Sequence, residues 1–107
     1  MAMDELAKIF KALSDKNRLA IFKTIREGFD CCTVLPDGSL EQSGNTVSEI
    51  AGEFDLSLST VSHHLKELRT AGLIVCERQG QRVHCRPDDS VMETIEEFVK
   101  PRVKGTR

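Results

Sequence analysis

The stretch LSLSTVSHHLKELRTAGLI, residues 56–74, decides the fold. Ser57 is a residue of the type that caps helices, and Leu58, Val61, Leu65 and Leu68 recur at helical spacing as one buried face. Ala71-Gly72 closes the helix with a glycine available for the left-handed position past its end. Just upstream, Thr46 followed three residues later by Glu49 reads as a capping box. Val47, Ile50, Ala51 and Phe54 then form a short apolar stripe that stops at Asp55-Leu56-Ser57. Two short helices around a tight turn make a helix-turn-helix.

The second of these helices turns Ser59, Thr60, Ser62, His63 and Lys66 away from its apolar stripe. Short hydroxyls allow close approach and hydrogen-bond either phosphates or base edges, while Lys66 and Arg69 near the helix end suit phosphate. Ser57 stands at a helix N-terminus, where unpaired N–H groups attract anions. Neighbouring positions on a helix point about 100° apart, so His63 and His64 cannot share one task. His64, three after Val61 and four before Leu68, leans inward as a packing histidine; His63 faces outward with the polar set.

Working outward, Leu73 to Glu77 and Gln81 to Cys85 are β-rich runs flanking Arg78-Gln79-Gly80, a hairpin with a basic tip. Arg78, Gln79, Gln81 and Arg82 at that tip can reach a flanking minor groove or its phosphates. Beyond Pro87, Asp88 or Asp89 caps a last helix carrying Val91, Ile95, Phe98 and Val99 and closed before Pro101; the tail 102–107 is expected to fray. Toward the N-terminus, Leu6, Ile9, Phe10 and Leu13 give a first amphipathic helix, and Ser14 is placed to cap a second. That second helix bears Leu19, Ile21, Phe22 and Ile25 and ends before Gly28. Between about 30 and 45 the periodicity fails around Pro36-Asp37-Gly38, so the segment is either a small hairpin or a mobile loop.

The expected fold is therefore mainly α with a small β-hairpin, in the order helix, helix, helix-turn-helix, wing, helix, as a single domain over 1–107. A chain of 107 residues suits one domain. A monomer this small buries only about two-thirds of its unfolded surface. Apolar Leu6, Ile9, Met92, Ile95 and Val99 on the terminal helices thus point to a homodimer. Uninterrupted apolar runs, such as Leu73-Ile74-Val75, are far too short to cross a membrane, so a cytoplasmic location is expected, with the four cysteines as thiols.

The net charge of -2 conceals its distribution. From Ser57 to Arg86, Lys66, Arg69, Arg78, Arg82 and Arg86 stand against Glu67 and Glu77, giving +3 and leaving -5 elsewhere; all three histidines also fall there. A basic segment in an acidic molecule is the asymmetry of a surface that meets a polyanion. A solvated polar face is the plainer account of the same residues, and the basic wing beside it is what argues for DNA.

The residues FKALSDKNRLAI (10–21) and LSLSTVSHHLKELRTAGLI (56–74) resemble the opening and recognition-helix motifs of the ArsR/SmtB family of metal- and stress-responsive bacterial repressors. With the wing, the similarity spans nearly all of the chain except the insert. It implies a dimer packed through its first and last helices that binds palindromic double-stranded operator DNA until an inducer releases it. Two of the family's usual inducer sites are not intact. The helix Thr46 to Ala51 has no cysteine pair, and the last helix, Asp88 to Lys100, has carboxylates but no histidine.

What remains is thiol chemistry. Cys31 and Cys32 are adjacent in the irregular segment, and two neighbouring thiols grip one ion in a turn or loop, the conformation expected here, rather than on a strand. Thiolates favour soft ions, so trivalent arsenic or a soft metal is the expected inducer, bound at Cys31 and Cys32 and not required for folding. The alternative is a repressor that reads oxidants or sulfur species through the same two cysteines. Cys76 and Cys85 in the wing are read as small packing residues: a two-residue turn at Gln79-Gly80 sets them diagonally on one face, a three-residue turn on opposite faces. No Cys-x-x-Cys, nucleophile elbow, paired-histidine zinc motif or glycine-rich phosphate loop suggests an enzyme.

Overall fold

The computed structural model describes residues 2–42 and 44–101, without the side chains of Phe29, Cys31, Gln42 and residues 44–46; the tail expected to fray lies outside it. Helix α1, Met3–Ala12, buries Leu6, Ile9 and Ala12. Helix α2, Lys16–Ile25, is capped by Asp15, which accepts the Arg18 N–H at 2.9 Å. Ser14, the expected cap, instead donates its hydroxyl to the Lys11 carbonyl at 2.7 Å, closing α1. Ile21 and Ile25 are fully buried, whereas Leu19, expected beside them, is 50% exposed. Gly28 follows at φ 83°, and a Cβ there would lie 3.0 Å from the His84 ring, so both backbone and space require glycine.

The insert is a hairpin of β1, Phe29–Val34, and β2, Leu40–Gln42. Asp37 organises its turn by accepting the Ser39 N–H at 2.8 Å and hydroxyl at 2.6 Å. Helix α3, Gly44–Glu53, begins two residues before Thr46, which is therefore inside the helix and not its cap. After Asp55 at φ 55°, Ser57 caps α4, Leu58–Thr70, accepting the Thr60 N–H at 3.1 Å. Val61, His64, Leu65 and Leu68 are its buried face. Leu58 is 49% exposed, because it sits on the first turn at one margin of the stripe while His64 fills the other.

Strands β3, Ile74–Gln79, and β4, Arg82–Pro87, form the wing, and helix α5, Asp89–Val99, follows with Asp88 accepting the Ser90 and Val91 N–H groups. The two hairpins make one antiparallel sheet in the order β2-β1-β4-β3. The wing is thus not a free two-stranded ribbon, since the insert pairs along the outer side of β4. Gln79 pairs with Arg82, which places the two-residue turn at Gly80-Gln81, one residue later than expected. Gly80 has φ 65° at the first central position, the arrangement of a type II′ turn that suits the strand twist. Cys76 is then directly opposite Cys85, neither diagonal to it nor on the other face.

The core joins Ile21, Ile25, Val61, Leu68 and Leu73, all at 0% exposure. Leu6 and Ile9, expected at a dimer surface, are 6% and 2% exposed, so the chain itself covers them. The exposed apolar residues of the terminal helices are Met3, Phe98 and Val99, with Phe98 5.7 Å from the Phe10 ring. Among the described residues no helix is long and apolar enough to cross a membrane.

Candidate nucleic-acid interface

The outward side of α4 begins with three hydroxyls. Ser57 Oγ lies 3.1 Å from Ser59 Oγ and 2.8 Å from Thr60 Oγ1, all at the exposed N-terminus of the helix. Ser62 donates its hydroxyl to the Leu58 carbonyl at 2.8 Å, so toward an incoming ligand it offers an acceptor. Ser59, His63, Lys66 and Arg69 are exposed along the same helix, and Thr60 and Ser62 half-buried.

Behind this face, His64 anchors the helix. Its Nδ1 accepts the Arg18 Nε–H at 3.2 Å, and its Nε2 stands 3.8 Å from Asp15 Oδ2. Arg18 also donates Nη1 to the Ala12 carbonyl at 3.2 Å, so one guanidinium ties the end of α1 and the start of α2 to α4. Burial pushes His64 below the ordinary histidine value; the Asp15 carboxylate opposes this, and the Arg18 and His63 charges reinforce it. A neutral ring with its proton on Nε2 accepts from Arg18 and faces Asp15. The Arg18 backbone N–H bond holds the Asp15 carboxyl below the usual carboxylate range.

The wing tip carries Arg78, Gln79, Gln81 and Arg82, all exposed. Arg78 Nε donates to the Gly80 carbonyl at 3.0 Å, bracing the turn. Arg82 Nη1 reaches Asp30 Oδ2 on β1 at 3.1 Å, and the other Asp30 oxygen is 3.5 Å from His84 Nδ1. Arg86 is committed to Glu77 at 2.7 Å and approaches Asp89 at 3.7 Å. The charge counted along the sequence therefore overstates the wing: Arg86 is internally paired and Arg82 shares Asp30.

Cys31 and Cys32 lie in strand β1 and not in a loop, because the insert pairs with β4. The register with β4 shifts between Asp30 and Cys32, leaving Cys31 as the extra residue of a bulge. Cys32 is half-buried against the core. Cys76 Sγ and Cys85 Sγ, both reduced, are 2.7 Å apart. Among the described residues no three His, Cys, Asp or Glu side chains cluster as a metal site.

Sequence reasoning missed Arg18, Asp15 and Asp30. Arg18 and Asp15 stand within the quoted FKALSDKNRLAI segment, so the similarity flagged them without their role. Nothing local marks Asp30 as the partner of Arg82, which is 52 residues away.

Residues 39–75 match the family model described as bacterial regulatory protein, arsR family. Over 99 residues the chain is 30% identical to YbzH of Bacillus subtilis, an HTH-type transcriptional regulator, covering 92% of this chain and 99% of that protein. The chain belongs to the ArsR family. Members of this kind are DNA-binding transcriptional regulators and not enzymes. Another relative is a cadmium resistance transcriptional regulatory protein, a CadC homolog of Staphylococcus aureus, 28% identical over 93 residues, 87% of this chain and 65% of that one. Among solved structures, the homodimeric winged helix-turn-helix domain of Mb0332 from Mycobacterium bovis superposes with a TM-score of 0.58 at 21% identity, covering 98% of this chain and 87% of that one. The winged helix-turn-helix of this ArsR-family regulator is thereby shown.

Proposed function

We propose that this ArsR-family regulator is a homodimeric repressor that holds double-stranded operator DNA and releases it when a thiophilic inducer, trivalent arsenic or a soft metal ion, is gripped by Cys31 and Cys32. The observation that carries the DNA part is that the outward side of α4 and the wing tip are exposed and belong to a basic segment of an otherwise acidic protein. In this reading Ser57, Ser59, Thr60, Ser62 and His63 meet base edges and nearby phosphates, while Lys66 and Arg69 take phosphates. Arg78, Gln79, Gln81 and Arg82 lie along the flanking groove. Exposed Met3, Phe98 and Val99 supply apolar surface for a second copy, and the homodimeric neighbour supports that assembly.

The inducer part rests on position. Strand β1 pairs with wing strand β4 and packs on α3, the helix that in turn packs on α4, so an ion held at its bulge acts on the wing directly and on α4 through α3. A ligand shifts a two-state equilibrium only by its differential affinity, and a tenfold preference supplies about 1.4 kcal/mol per site, doubled in a symmetric dimer. The cadmium regulator among the relatives supports the class of inducer.

The test is a mobility shift on the DNA upstream of the protein's own gene, titrated with arsenite, cadmium and peroxide. Retarded DNA released by arsenite or cadmium in the native chain, and retained when Cys31 and Cys32 are both serine, is the expected result. Unchanged release from the double variant would move the inducer site elsewhere. Sedimentation showing only monomer at micromolar concentration, with and without DNA, would remove the dimer.

A further inference from the structure

We propose that Cys76 and Cys85 form a thiol–disulfide modification site in the wing, closed by a hydroperoxide and coupled to the DNA-facing tip. The site is distinct from the proposed inducer cysteines, and only its coupling to DNA rests on the repressor reading above.

The pair is made by register. The Gly80-Gln81 turn closes on Gln79 and Arg82 as a hydrogen-bonded pair, and counting three pairs back along the ladder makes Cys76 and Cys85 a non-hydrogen-bonded pair. Such pairs bring Cα atoms to about 4.5 Å and side chains closest together, inside the range a disulfide spans. The sulfurs lie 2.7 Å apart, and a disulfide bond is about 2.05 Å. Closing it thus demands little movement of either strand.

The two thiols differ in access. Cys85 is 1% exposed, packed into the core, whereas Cys76 is half-buried and lines an open groove of about 530 Å³ between the two hairpins and α4. Arg69 of α4 and Arg78 of the wing tip line the same groove. An oxidant of peroxide size therefore meets Cys76 first. The Cys76 sulfur attacks one peroxide oxygen, the O–O bond breaks, and the departing hydroxide takes the Cys76 proton as water, leaving a sulfenic acid. The Cys85 sulfur then displaces the sulfenic oxygen, which leaves with the Cys85 proton as a second water. Two thiols and one hydrogen peroxide become one disulfide and two waters, the dithiol losing two electrons and the peroxide gaining them. The bridge pins β3 to β4 two residues below Arg78 and three below Arg82, so the conformational freedom of the tip is set by the redox state.

The experiment uses the full chain with Cys31 and Cys32 replaced by serine, so that only Cys76 and Cys85 remain. After hydrogen peroxide, the expected product is monomeric on non-reducing gels, has lost both thiols and is 2 Da lighter. Trypsin, cutting after Arg78 and Arg82, should release the Cys76 and Cys85 peptides linked, and dithiothreitol should reverse the change. Operator affinity should differ at least threefold between the two states. Cys76→Ala, at the half-buried position and checked for folding by circular dichroism, should lose both the bridge and the affinity change. Oxidation that halts at a 16 or 32 Da gain, links two chains, or leaves both thiols intact would overturn the site. A complete bridge with unaltered operator affinity would overturn its coupling to DNA. A bridged chain that binds no DNA in either state would uphold the disulfide and defeat the repressor reading.

Discussion

The helix-turn-helix and the wing sheet face the same proposed ligand but are held in place by different means. α4 is seated by fully buried Val61 and Leu68 and by the polar contacts of His64 with Arg18 and Asp15. The wing is held by a ladder of backbone pairs, an apolar side of Ile74, Val83 and Cys85, and partly exposed ion pairs such as Arg82 with Asp30. Buried packing resists change strongly, while exposed ion pairs are each worth about 0–1 kcal/mol. The reading helix is therefore built as the fixed element and the wing as the adjustable one, and adjustability is what a proposed redox site and inducer strand require.

The sharpest way to break this contrast is to compare core truncations. Leu68→Ala should cost about 3 kcal/mol, and Val83→Ala about 1–2 kcal/mol, in urea unfolding midpoints converted with a common slope. Equal losses would mean that the sheet is as tightly committed as the helices. Next, Arg18→Ala strips a buried acceptor, His64 Nδ1, of its donor and should destabilise the chain by about 1–3 kcal/mol. Arg82→Ala should not, since its partner Asp30 remains partly in water.

On DNA the ranking should reverse. Lys66→Ala and Arg82→Ala are each expected to weaken binding to all sequences and lower the salt slope by about one unit, while Thr60→Ala and His63→Ala act mainly on operator DNA. Asp30→Asn releases Arg82 and removes a nearby negative charge, so it should tighten binding to any duplex and steepen the salt dependence. Filter binding between low and moderate salt checks both, and an Asp30→Asn variant that binds more weakly would show the pair to be a required brace.

The smallest effect concerns pH. The folded chain keeps His64 below its ordinary value of about 6.5, so in acid the unfolded chain binds more protons than the folded one. His64 therefore contributes its full stability above about pH 6.5, and this declines as pH falls through the lowered folded value. His64→Asn retains an acceptor for Arg18 and should flatten the acid side of the profile between pH 7.5 and pH 5.5. A profile just as steep in the variant would assign the decline to other groups.

The same contrast explains what could be read from residues alone. α4 is dictated by neighbours in sequence: the Ser57 cap, the Val61, Leu65 and Leu68 spacing and the inward lean of His64 all depend on residues within about two turns. The sheet depends on meetings across long separations. That β1 would pair with β4, and thereby draw Cys31 and Cys32 out of a loop into a strand, is set by backbone groups that carry no side-chain signature. The wing register was open because Gln79-Gly80 and Gly80-Gln81 both suit a short turn, and one residue of slip decides whether Cys76 meets Cys85. The cap of α2 falls on Asp15 and not on Ser14 because competing oxygens one position apart can satisfy the same backbone donors.

The three-residue length of β2 has one more consequence. An open sheet margin is a template on which another chain can add a strand, and a protein that works crowded along DNA meets copies of itself often. β1 covers the six-residue flank of β4 that would otherwise stand open beside apolar Val83 and Cys85, and hands the margin on to a strand too brief to recruit a neighbour. The opposite margin, β3, ends in exposed Glu77, Arg78 and Gln79, charged and polar where a stacking strand would want apolar contact. The insert between the second and third helices thus leaves the sheet with short or charged margins, the form that disfavours edge-to-edge pairing.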